Sequence, residues 1–319
     1  MNIIVLDGHT LNPGDNPWDE LESLGNLTVH DRTAENELLQ RSQSAELLYT
    51  NKTPLSKEVI DQLSALRMIG VLATGYNVVD TEAARARDIP VCNIPVYGTD
   101  SVAQYVFAQL LEFCHHIPLH DRAVRNGRWE EVQEFSFWET PLVELAGKTM
   151  GIVGFGKIGR RVGELATAFG MNVVAFDVYH GDPPPYEKSF QWLSIEELFE
   201  QADVISLHCN QTDDNVEFVN RDLLQRMKPT AWFVNAARGG LVQEQDLADA
   251  LNAGVLAGAA LDVTSSEPIN PNNPLLQAKN AVITPHIAWA TLAARKRMMH
   301  TAYENAKAFI GGSPTNVVN

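Results

Sequence analysis

The sequence predicts an α/β protein of two domains, a Rossmann-type doubly wound parallel sheet plus a discontinuous flavodoxin-like domain. Three observations predict it. Short apolar runs alternate with helical stretches, which implies parallel sheets with crossover helices. The texture breaks at Tyr97-Gly98, and a second alternating series begins at Thr149. The 319 residues, 45% of them hydrophobic, exceed what one core usually organises.

In the first series "IIVLD", "LTVHD", "AELLYT", "MIGVLA" and "IPVCNI" read as buried strands. "NPWDELESLG" reads as a helix with Asn16 as N-cap, Pro17 at its first position and Gly25 as its stop. From Ser101, "SVAQYVFAQLLEFCHH" is a long helix, apolar on most sides, which should be buried, with a subunit interface as one way to cover it. "NGRWEEVQEFSFWETPLVELAGK" is aromatic and without periodicity, and reads as an irregular arm in which Trp129 and Trp138 pack. The second series supplies the strands "TMGIVGF", "NVVAFD", "DVISLH", "AWFVNAA", "GAALDV" and "AVITP". The Pro183–Pro185 run reads as a rigid surface loop. The last helix, "TLAARKRMMHTAYENAKAFIGG", is expected to return to the first domain, with Arg295–Arg297 on its exposed face. The expected domains are therefore 1–98 with 289–319, and 99–288.

The net charge of -16 argues against nucleic-acid or anionic-membrane partners, which need a positive footprint. It leaves room for a small anionic substrate, because one local arginine outweighs distant charge. Cys92, Cys114 and Cys209 are odd in number and far apart, so neither a disulfide framework nor a thiolate zinc site is expected. His116 and His120 have the spacing of metal ligands, but Pro118 lies between them, and no metal is expected. "MNIIVLDGHT" lacks a basic leader and no apolar run reaches membrane-spanning length, so the expected setting is cytoplasmic.

The strongest chemical signal is "GIVGFGKIGRRVGELATAFGMNVVAFD". Gly154, Gly156 and Gly159 form G-x-G-x-x-G between a strand and an amphipathic helix, and Asp177 ends the next strand. Together these make a dinucleotide fingerprint. Gly154 allows the tight turn, Gly156 lets the backbone approach a pyrophosphate, and Gly159 lets helix and strand pack. Phe155, Lys157 and Ile158 complete the loop. Asp177 should hold the ribose hydroxyls and repel a 2′-phosphate, which favours NAD over NADP.

Ligands of doubly wound sheets sit beyond the carboxyl ends of the strands. Arg238 follows "AWFVNAA", Glu267 follows "GAALDV" and His286 follows "AVITP". Singly, each has an ordinary alternative: a surface ion pair, a turn residue, a satisfied structural histidine. Jointly, beside a nicotinamide site, they read as catalytic. Ala236 is assigned to the cofactor. Asp262 faces the nicotinamide carboxamide, or serves as a structural cap.

"NAARGGLV", "LDVTSSEP" and "TPHIAWAT" resemble three blocks of the D-isomer-specific 2-hydroxyacid dehydrogenases. "VLATGYNVVD", "NIPVYGTDSVAQYVF" and "FSFWETPLVELAGKTMGIVGFGKIG" extend the resemblance over nearly the whole chain, toward the glycerate dehydrogenase branch. The resemblance implies a homodimer with exchanged arms, and a cofactor and a small 2-keto or 2-hydroxy acid bound between two α/β domains. His286 would then donate the proton in keto-acid reduction, Glu267 would stabilise its charged form, and Arg238 would hold the substrate carboxylate and polarise the carbonyl. The Thr74 and Gly75 N–H groups in "LATGYN" read equally as a plain turn and as an anion nest; the resemblance tips them to the nest. Trp289 would wall the substrate pocket, with packing as its alternative, and Trp138 could reach a neighbouring active site. Many relatives have Glu where this chain has Gln104. Other readings are a dinucleotide-sensing corepressor-like protein and a glyoxylate or D-lactate type enzyme.

Overall fold

The computed structural model describes residues 1–319. The chain divides into two compact units, residues 1–98 with 289–319, and residues 99–288.

The first unit holds five strands: β1 (Asn2–Val5), β2 (Asn26–Val29), β3 (Leu47–Thr50), β4 (Met68–Val71) and β5 (Val91–Cys92). All pair in parallel, in the flavodoxin-like order β2-β1-β3-β4-β5. β3 and β4 are buried at every residue, which explains their unbroken apolar runs. Alternate residues of β3 feed opposite cores: Leu48 packs with Ile69 and Val71, while Leu47 and Tyr49 pack with Ile3, Val5 and Met68. The helix Leu292–Ile310 covers the second face through Met298, Met299, Ala302 and Ala306.

Three expectations fail here. β2, read as a buried strand, is the sheet's edge and has no buried residue, its side chains alternating between exposed and half-buried. The predicted helix at Asn16 shrinks to Asp19–Glu22. Asn16 caps nothing, because its buried amide donates instead to Leu11 O at 3.1 Å. Arg295 is not on a solvated face. It is 7% exposed, and its guanidinium grips both carboxylate oxygens of Asp15, at 2.5 and 2.7 Å, as well as Leu11 O. A two-pronged pair plus a carbonyl satisfies a charge that would otherwise stay in water.

The second unit holds seven strands: β6 (Thr149–Val153), β7 (Asn172–Phe176), β8 (Phe190–Trp192), β9 (Val204–Leu207), β10 (Trp232–Asn235), β11 (Gly258–Leu261) and β12 (Ala281–Ile283). They are parallel, in the order β12-β11-β10-β9-β6-β7-β8. Counted from β6, this is the Rossmann order with one strand added. The sequence pattern misses β8, a three-residue edge strand. The helix Thr99–His115 buries Ala103, Val106, Phe107, Leu110 and Phe113, while Gln104 stays exposed. A further helix, Ile117–Arg125, was not foreseen and buries no residue. Residues 126–148 contain no helix or strand, as the arm reading requires. Trp129 does pack there, edge-on to Phe137, but Trp138 is 66% exposed and Phe135 87%. No helix is long and apolar enough to cross a membrane.

Candidate active site

The three loop glycines have different reasons to be glycine. Gly154 has φ +93°, and a Cβ there would lie 2.4 Å from Cys209 N. A Cβ on Gly159 would lie 2.2 Å from Gly154 O. Both are fixed by the fold. A Cβ on Gly156 would meet nothing within 4 Å, and its φ of -75° is ordinary. The protein itself gives no reason for Gly156, whereas a ligand backed against the loop does.

Beyond that turn runs the helix Lys157–Ala168. Arg160 is the first residue whose N–H bonds back, to Gly156 O at 2.9 Å. The N–H groups of Gly156, Lys157, Ile158 and Gly159 take no protein acceptor. Free donors at the positive end of a helix suit a pyrophosphate. Asp177, one residue past β7, accepts from Phe155 N at 2.6 Å and Tyr179 N at 3.1 Å, which leaves lone pairs for ribose hydroxyls. The residues therefore fit a dinucleotide. Phe155 serves it indirectly: its N–H is given to Asp177, and its ring is 3% exposed and packs on Phe190 and Trp192.

The sequence reading missed one neighbour of this turn. β9 delivers His208 to the same edge, where its N–H donates to Val153 O at 2.7 Å. Its Nε2 meets Ser206 Oγ at 2.8 Å, while Nδ1 is buried without a partner. Burial pushes this imidazole down to about 3, so it stays neutral. The signal was present in "DVISLH", which ends at the same edge as the other strands.

The second half of the edge carries the acid–base set. His286 Nδ1 lies 2.7 Å from Glu267 Oε2. The two side chains are 27% and 36% exposed, open enough for a substrate to reach. With Nδ1 held by the carboxylate, Nε2 is the ring nitrogen left for proton transfer. His286 has φ +54°, a left-handed backbone unusual for a residue with a Cβ. Its N–H donates to Asp262 O at 2.8 Å.

Asp262 explains how that backbone is held. It is 1% exposed, and its carboxylate accepts from Thr284 Oγ1 and Ala288 N, both at 2.7 Å, and from Ile287 N at 2.9 Å. Of the two roles open for Asp262, the cap is the one this geometry displays.

Arg238 extends from the end of β10, exposed, with Nη1 donating to Ala237 O at 2.7 Å. Ala236 is half-buried in the same turn. Gly239 seats this turn against the loop that leads to Glu267, since a Cβ would lie 1.9 Å from Thr264 C. Glu244 braces that loop in turn, accepting from Ser265 N and Asn273 Nδ2, both at 2.8 Å. No group of three or more His, Cys, Asp or Glu side chains is placed to hold a metal ion.

In the first unit, Thr74 Oγ1 donates to Ile94 O at 2.7 Å, and the Thr74 and Gly75 N–H groups bond no protein acceptor. Trp289 packs on the first unit's core, edge-on to Tyr97 at 6.3 Å, and its indole N–H has no protein partner.

Comparison with known proteins places this geometry. The profile described as "D-isomer specific 2-hydroxyacid dehydrogenase, NAD binding domain" matches residues 107–288. A hydroxypyruvate reductase of Blautia hydrogenotrophica is 48% identical over the full length of both chains. A glycerate dehydrogenase of Methylorubrum extorquens is 37% identical over 88% of each chain. Among solved structures, an acyclic imino acid reductase in complex with NADPH and D-Arg superposes with a TM-score of 0.87, at 30% identity over the whole of both chains.

Proposed function

The chain belongs to the D-isomer-specific 2-hydroxyacid dehydrogenase family of NAD-dependent oxidoreductases, and within it we propose that its substrate pair is hydroxypyruvate and D-glycerate. The observation that carries the reaction is the 2.7 Å Glu267–His286 contact, on the same sheet edge as the dinucleotide turn.

Bound NADH supplies the hydride to the keto carbon. The chain's residues do the rest. His286, protonated, donates from Nε2 to the oxygen as it gains charge, and Glu267 keeps Nδ1 oriented and offsets the imidazolium charge. Arg238 offers its guanidinium fork to the substrate carboxylate and keto oxygen, polarising the carbonyl. The Thr74 and Gly75 N–H groups, without protein acceptors, are assigned to the carboxylate as well. Gly154 to Gly159, Asp177 and Ala236 are assigned to the cofactor. The Trp289 indole N–H is assigned to the terminal hydroxyl of hydroxypyruvate. We also assign the chain to the cytoplasm and to a homodimer that covers Ile117, Phe135, Trp138 and Leu142, all exposed here.

The test is a steady-state comparison of hydroxypyruvate, glyoxylate and pyruvate at one pH with saturating NADH. A site built around a hydroxyl discriminates against analogues that leave its polar group unpaired, so kcat/KM for hydroxypyruvate should exceed that for pyruvate by at least about tenfold, with glyoxylate between. Pyruvate matching hydroxypyruvate would overturn the substrate assignment and leave the family standing.

A further inference from the structure

The helix Thr99–His115 buries a mostly apolar side in its unit, yet Ser101, Tyr105 and Gln109 stand on it at four-residue intervals. That spacing puts all three in one stripe. Each reaches the segment that carries His286. Ser101 Oγ donates to Ala288 O at 2.7 Å. Gln109 Nε2 donates to Thr284 Oγ1 at 3.4 Å. The Tyr105 phenol interacts with the same Thr284 hydroxyl. Thr284 Oγ1 in turn donates a hydrogen bond to Asp262 Oδ1 at 2.7 Å. His286 lies midway between Thr284 and Ala288.

We propose that Ser101, Tyr105 and Gln109 are positioning residues for His286: they pin the residues two before and two after it, and so hold its backbone where the ring meets Glu267. A side chain at φ +54° persists only where its surroundings over-determine it. Asp262 grips the segment from one strand, through Thr284, Ile287 and Ala288. The stripe grips it from the helix. Two supports on different elements leave the segment little freedom to relax, which neither would achieve alone.

The identity of the stripe residues supports this reading. Leucine or methionine at Gln109 would bury no polar atom, whereas the glutamine leaves its buried Oε1 unpaired. That penalty is hard to account for by packing alone, and the bond to Thr284 accounts for it. Glu267 stands at Nδ1 of the ring and Asp262 beneath the loop, with Arg238 assigned to the same site. Tyr105 adds no charge, because burial raises its phenol further above neutral pH.

The proposal rests on His286 being the proton donor. Ser101→Ala, Tyr105→Phe, their double variant, Ser101→Thr and His286→Ala are compared for kcat with the best 2-keto acid, NADH Kd by fluorescence, and Tm. The double variant should lose roughly tenfold or more in kcat, since small misplacements of a reacting group are costly, with NADH Kd within about twofold of the parent. Ser101→Thr, which keeps the hydroxyl, should retain most of the kcat. If the double variant fails to fold, the single variants decide, because Tyr105→Phe removes one oxygen only. Parent-level kcat in both singles, with His286→Ala inactive, would overturn the positioning role. A fall in NADH affinity equal to the fall in kcat would overturn it too. An active His286→Ala would instead sink the reading of His286 itself.

Discussion

Replacing Gly156 and Gly154 by alanine separates a glycine kept for a ligand from one kept for the fold. At Gly156 the new methyl meets open space, and the backbone is ordinary. Alanine is the poorer helix N-cap, but it also narrows the unfolded ensemble; the two effects are each within about 1 kcal/mol and opposite in sign. Apo Tm should then move by no more than about 4 °C for a unit of this size. The methyl would stand against the pyrophosphate. Overpacking costs about 1–3 kcal/mol, which is roughly a 5- to 150-fold rise in NADH Kd. Gly154→Ala reverses the pattern. Its φ of +93° and a 2.4 Å approach to Cys209 N make the fold carry the penalty. Backbone strain of about 1–3 kcal/mol plus overlap of about 1–3 kcal/mol should lower apo Tm by roughly 4–20 °C. The assay pairs a thermal melt without cofactor with an NADH fluorescence titration. Parent-like NADH binding by Gly156→Ala would refute the idea that the cofactor backs onto this residue. An apo melt unchanged by Gly154→Ala would refute the steric argument.

Other perturbations test the acid–base and charge assignments. Glu267→Gln removes the anion 2.7 Å from His286 Nδ1, so keto-acid reduction should fade at a lower pH than in the parent; an unchanged pH–rate profile would show the contact to be idle in proton transfer. Asp177→Ala should narrow a preference for NADH over NADPH, because the repelling carboxylate is gone, and equal use of NADPH by the parent would contradict the assignment. Burial holds His208 neutral down to about 3, whereas an unfolded histidine takes a proton near pH 6.5. The unfolded state therefore binds more protons below about pH 6.5, and stability falls as the pH drops. Apo Tm should decline between pH 7 and 5 more steeply in the parent than in His208→Asn, and parallel declines would count against a buried neutral imidazole.

Much of the fold is legible in the sequence because parallel strands buried on both faces must be apolar throughout, and "AELLYT" or "DVISLH" can be little else. β8 is hidden because Phe190–Trp192 is a short edge strand whose aromatic residues belong equally to a loop. Asn16 illustrates a different limit. Its neighbours carry a sound capping pattern, but Leu11 O, five residues earlier, offered its amide a buried partner, and that bond outweighed the capping preference. The fate of Arg295 rested on Asp15, far away in sequence, which no helical pattern reports. At the site, residue types and strand ends pointed to His286, Glu267 and Arg238 together. The bracing around them was not legible, because Ser101, Tyr105 and Gln109 look like interruptions of an apolar helix until their partners are known.

The bracing also separates exposure from tolerance. Cofactor residues project from the ends of β6 and β7, and the acid–base residues from the ends of β10, β11 and β12, along one edge of one sheet. Loops at such an edge are solvent-facing, and solvent-facing loops ordinarily vary. Residues 284–288 are different. Pro285 and Ile287 are exposed, yet the backbone from His286 to Ala288 is bonded by Asp262 on one side and, at Ala288, by Ser101 on the other. A carboxylate that is 1% exposed is costly unless its lone pairs are filled, and Asp262 fills them with donors from this segment. Displacing the segment would leave that charge buried and unpaired. The penalty for moving His286 is therefore set at Asp262, beneath the surface, and the exposure of the loop above it gives no measure of how far the histidine can shift.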